Sequence, residues 1–118
     1  MQLLPLALGS LLALTRPAAA PAPPAPAEEF VQACNTQLAL TPEQRASLLS
    51  YLEQEIDYMA VQAANHSAAE VAELVPAERE ELQRVAGHLL SPGQLRQFRE
   101  LEATPKMKAY LKQMSLEN

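Results

Sequence analysis

One cysteine, Cys34, and two histidines, His66 and His88, are the side chains of this sequence best suited to nucleophilic or soft-metal chemistry. A thiol or hydroxyl becomes a nucleophile when a base, an orienting group and an oxyanion site converge on it. Nothing local to Cys34 supplies all three. A single cysteine also forbids a disulfide within the chain and leaves only an intermolecular one. The string Val31-Gln32-Ala33-Cys34 faintly matches a lipoprotein cleavage box, but the apolar run ends at Leu14, and prolines and Glu28-Glu29 intervene. Cys34 therefore reads as a small buried apolar residue. His66 and Glu70 are four apart, yet Ser67 between them reads as a helix cap, so no shared helical face is implied. Asn65-His66-Ser67 fits a glycosylation sequon, a short motif that often matches by chance. Glycines stand only at Gly9, Gly87 and Gly93, so no phosphate-cradling loop exists, and neither G-x-S-x-G nor H-E-x-x-H occurs. The expectation is a protein with no catalytic residues, no metal site and no cofactor, which is not an enzyme.

The leading segment reads as an address. Leu3 to Leu14 is largely apolar, Arg16-Pro17 follows, and Ala18-Ala19-Ala20 is a small-residue stretch of the A-x-A kind. The apolar run is well short of the roughly twenty residues a bilayer span needs. Residues 1–20 are therefore expected to be a secretory signal peptide, although Met1-Gln2 lacks the usual positive charge. Residues 21–27 form a proline-alanine linker, expected to be extended and solvated, and residues 28–118 a single helical domain. No transmembrane segment is expected in the mature chain, and its location is expected to be outside the cytoplasm.

Charge divides the chain. From Glu28 to Glu81, eleven acids stand against Arg45 and Arg79; from Leu82 onward, six bases face three acids. An acidic body argues against nucleic acid as partner. The opposite signs permit head-to-tail or antiparallel self-pairing, and solvated helix faces explain them equally well.

The elements that carry these residues are announced by a repeated phrase. Leu40-Thr41-Pro42-Glu43-Gln44 and Leu90-Ser91-Pro92-Gly93-Gln94 share leucine, hydroxyl residue, proline and glutamine in register. The hydroxyl can cap a new helix, the glutamine can return a bond to the cap backbone, and proline suits the first helical position. Thr41, Gln44, Ser91 and Gln94 are thus expected to be helix caps. Ser67-Ala68-Ala69-Glu70 is a third capping box, and Thr104-Pro105 repeats the hydroxyl-proline device. A first helix is expected over 28–38. A second, from Thr41 to about Asn65-His66, carries Leu49, Leu52, Ile56, Met59 and Ala63 at alternating steps of three and four, with Leu48 and Ala60 widening the stripe and Glu53, Glu55 and Asp57 off that seam. A third begins at Ser67 and meets Pro76, which is expected to kink or restart it. The fourth turns Leu95, Phe98 and Leu101 inward, and the last carries Met107, Tyr110, Leu111 and Met114. No stretch alternates with period two, so no strand is expected. The fold class is all-α: a bent helical hairpin or a small bundle of four to five helices. A chain this short gains from further burial, so dimerisation is expected. Leu49, Leu52, Ile56, Met59, Leu95, Phe98 and Leu101 are expected to form the core and the partner or dimer contacts.

The twin phrases, the expected export and the helical pattern resemble the Spy/CpxP family of periplasmic proteins with LTxxQ repeats. The match runs over roughly Leu38 to Leu101, with Ser91 in place of the second threonine. Leu95-Arg96-Gln97-Phe98 is similar to the family's second-motif region. The resemblance implies a bent hairpin that dimerises into a curved cradle. It implies ATP-independent binding of unfolded or stressed envelope proteins, or regulation of an envelope stress response. Two other readings stay open: a metal-responsive periplasmic sensor, and a structural helical adaptor with one dedicated partner. The acidic stretch through Glu81 departs from the basic client face of the chaperone members, and two isolated histidines depart from the metal-sensing ones.

Overall fold

The computed structural model describes residues 25–118, so the expected signal peptide and most of the linker lie outside the described residues. Five helices follow in order: α1 (Pro26–Leu38), α2 (Pro42–Asn65), α3 (Ala68–Leu89), α4 (Pro92–Glu102) and α5 (Pro105–Gln113). Among the described residues there is no strand, and the fold is all-α.

The helix starts follow from capping chemistry. Thr41, Ser67 and Ser91 sit in extended backbone, and each hydroxyl accepts from the backbone N–H three residues on, at 3.0, 3.2 and 3.2 Å. Gln44, Glu70 and Gln94 accept in return from the cap N–H at 2.9, 2.8 and 3.0 Å, completing three reciprocal boxes. Thr104 caps α5 by accepting from the Met107 N–H at 3.4 Å. Helix α1 has half a box, since Ala25 lacks a hydroxyl and only its N–H donates, to Glu28 Oε1 at 3.4 Å.

Two expectations are corrected. Helix α1 begins at Pro26, inside the stretch expected to be extended linker, because proline suits a first turn and Ala27 is fully buried in the core. Of the two outcomes expected at Pro76, the restart does not occur: α3 continues through it as one element. Its missing N–H still leaves the Ala72 carbonyl without a helical donor, and the Asn118 side-chain amide donates there instead, at 3.4 Å.

The core lies at one end of the α2–α3 hairpin. Helix α1 packs against α2, α4 and α5, and α4 also touches α3 and α5. Phe30 of α1 and Phe98 of α4, both fully buried, meet edge to face with centroids 6.1 Å apart. Leu48, Leu52 and Met59 from α2 and Val75, Leu82 and Ala86 from α3 complete that core with Met107, Leu111, Met114 and Leu116. Between Met59 and Val75 no residue is fully buried. The outer part of the hairpin therefore reaches beyond the core, with Tyr58 41% and Val61 56% exposed.

Candidate functional site

The repeated phrase does more than start two helices. Gln44 and Gln94 face each other across the base of the hairpin. The Gln44 amide nitrogen donates to Gln94 Oε1 at 2.8 Å, and the Gln94 amide nitrogen donates to Gln44 Oε1 at 3.1 Å. Each nitrogen has a second acceptor: Leu89 O at 3.0 Å for Gln44, and Leu38 O at 3.3 Å for Gln94. Leu38 and Leu89 are the last residues of α1 and α3, where carbonyls lack helical partners. Each Oε1 already accepts from its own cap N–H. A primary amide offers two donors and two acceptor lone pairs, and both glutamines use all four. Two side chains thus tie the ends of α1 and α3 to the starts of α2 and α4.

The residues expected to make core and partner contacts divide in two. Leu52, Met59 and Phe98 are fully enclosed. Leu49, Ile56, Leu95 and Leu101 are half-buried and pack on the core's edge. Leu48, expected to widen the stripe, is the more deeply buried of the neighbours Leu48 and Leu49.

Glu55 overturns its placement off the seam. It is half-buried where α2 faces Glu78 and Glu81 of α3, and its Oε1 is enclosed without a hydrogen-bond partner. Burial, then the Glu78 carboxylate facing it, then the charge of Glu81, push the Glu55 carboxyl up to about 8. One turn earlier, the Tyr51 hydroxyl is also enclosed without a partner. Burial and the charges of Glu55, Glu81 and Glu78 raise it, against the opposing pull of Arg84. Arg84 itself pairs with Glu81.

A second polar cluster joins α3, α4 and the C-terminal segment. Glu102 is 6% exposed, accepts from Arg79 Nη2 at 3.3 Å and accepts from Gln83 Nε2. Burial raises its carboxyl, while Arg79, Gln83 and Arg99 act in the opposite direction. The other end of the Arg79 guanidinium donates to Leu116 O at 3.4 Å and to the Glu117 carboxylate. Nothing in the sequence pattern marks this cluster, because its members lie far apart along the chain.

The chemically suggestive residues do not assemble. Cys34 is wholly buried, and burial followed by the charge of Glu102 pushes its thiol up to about 12. Both histidines are exposed, so neither can serve that enclosed thiol as a base. His66 Nδ1 and Glu70 Oε1 do approach, to 3.7 Å, at the exposed hairpin tip. Among the described residues, no three His, Cys, Asp or Glu side chains gather as a metal site, and no helix is long and apolar enough to cross a membrane. No family model, curated protein or solved structure matches this chain.

Proposed function

We propose that the chain is an exported, periplasmic helical protein that binds other proteins without ATP, as a chaperone of unfolded envelope proteins or a regulator of envelope stress. The observation that carries the reading is the outer half of the α2–α3 hairpin. It has no fully buried residue between Met59 and Val75 and exposes Tyr58 and Val61, while Val71 and Leu74 pack half-buried against the core's edge. Apolar side chains carried beyond a core can meet another protein without unfolding their own. The half-buried Leu49, Ile56, Leu95 and Leu101 add partly accessible apolar surface at the core's edge. The resemblance of the two repeated phrases to the LTxxQ repeats supports the same reading. A second copy of the chain would cover part of this surface, so the working form in this reading is a homodimer.

The test is aggregation of unrelated unfolded clients with and without the protein, in the absence of nucleotide. Suppression of several clients, weakened by Tyr58→Ser with Val61→Ser, is the expected result. No suppression, together with recovery of one constant partner from cell envelopes, would favour the dedicated adaptor and sink the chaperone reading.

A further inference from the structure

We propose that the α3 strip from Ala72 to Arg79 is a peptide-binding surface. The chain's own Ser115–Asn118 occupies it as a strap, and once the strap lifts the strip takes in trans an acidic segment carrying a leucine. This deepens the protein-binding reading by naming a bound segment and the element that controls access to it.

The strip offers three recognition elements. Pro76 leaves the Ala72 carbonyl free to accept, and Asn118 supplies the donor at 3.4 Å. Arg79 presents two donors in a fixed plane, one end already held by the buried Glu102 before any peptide arrives. Its free end reads a main-chain carbonyl, that of Leu116, and a carboxylate, that of Glu117. Between these polar anchors Leu116 is fully buried. One apolar anchor flanked by main-chain and charged contacts is how a short peptide is held.

The strap has features of a segment that can leave. It is not helical, and each of its polar contacts to α3 passes through a side chain. Ser115 holds φ at 64°, the left-handed turn that ends α5, and the Leu116 N–H donates back to Leu111 O at 2.8 Å, so the strap's main-chain N–H bonds run to α5 and not to α3. Beside it runs a groove of about 430 Å³, lined by Ala63, Val71 and Val75 on the hairpin and by Ser115, Glu117 and Asn118 on the strap. A longer segment therefore has room to continue toward the hairpin tip.

The test has two arms. In the intact chain, hydrogen exchange should show the Leu116 amide, which donates to Leu111 O at 2.8 Å, opening well before those of α1; exchange only in step with α1 would overturn the proposal. In the second arm, a fluorescent peptide of residues 112–118 is titrated against the intact chain and against Leu116→Asp, which ejects the strap and leaves α3 unaltered. The variant should bind about tenfold more tightly or better, since it no longer spends most of its time occupied. Arg79→Gln in the same background should abolish binding, and a scrambled peptide should not bind. A folded Leu116→Asp chain that ignores the peptide would refute the idea. So would a Leu116→Asp chain that loses its helical circular dichroism, because the segment would then be core and not strap. Client suppression is read in a separate assay, so failure of the strap leaves the broader reading standing, and the reverse also holds.

Discussion

Gln44 and Gln94 bond to each other in both directions, amide nitrogen to amide oxygen, at 2.8 and 3.1 Å across fifty positions of sequence. Such a pair requires two primary amides, each donor and acceptor at once. Gln94→Glu removes both donors and sets a carboxylate oxygen against two acceptors, Gln44 Oε1 and the Leu38 carbonyl. The loss should be about 2–3 kcal/mol, the cost of leaving half-buried polar groups unmatched. Chemical denaturation of the two single variants and of the double variant Gln44→Glu/Gln94→Glu measures it. The double variant should show non-additivity; strictly additive effects would mean that the two amides do not act as a unit.

The caps themselves are separable from that pair. Thr41→Ala and Ser91→Ala each remove one hydroxyl acceptor and leave the glutamines in place. Each should lower stability by about 1 kcal/mol, the usual worth of an N-cap. A thermal melt of either variant that coincides with the parent would count against the capping role.

Ala39 offers a change in the opposite direction. It follows α1 at φ 53°, with its N–H donating to Asn35 O at 2.9 Å. This left-handed ending is the one glycine favours. Ala39→Gly relieves the Cβ clash but loosens the unfolded chain, so the net gain should be about 0.5–1 kcal/mol. A raised denaturation midpoint with an unchanged slope is the readout, and a lowered midpoint would contradict it.

Glu55 makes stability depend on pH with a definite sign. Its carboxyl lies at about 8 in the fold, against an ordinary value of 4.5. The folded chain therefore binds more protons than the unfolded chain across that interval. Stability from this group is complete below about 4.5 and is lost as the pH rises through about 8. Glu55→Gln, which stays neutral, should melt higher than the parent in mildly alkaline buffer and show a flatter profile. Identical profiles for the two proteins would show that Glu55 is not held protonated.

Much of this architecture was legible because helix starts are local chemistry. Thr41, Ser67, Ser91 and Thr104 each sit beside the residues they need, and α2 ends at Asn65, as the position of the next cap implies. What could not be read depends on partners distant in sequence. A lone Ala25 gives no hydroxyl signal, so the start of α1 at Pro26 was hidden in linker-like composition. Glu55 looks like any solvated helix acid until α3 brings Glu78 and Glu81 against it. Pro76 advertises a break, and only the packed fold supplies the Asn118 amide that answers the carbonyl it frees. The glutamine pair had a visible trace, since the same residue stands at the fifth place of both phrases. Capping explains each copy alone, so pairing was not demanded.

Cys34 gives the molecule an internal clock. With no surface of its own and its thiol held up to about 12, it cannot meet an alkylating reagent or an oxidant while the helices stay closed. Its rate of modification then counts excursions of the whole bundle, one event at a time, without any added label. In an oxidising compartment the same enclosure would keep neighbouring copies from cross-linking for as long as they remain folded.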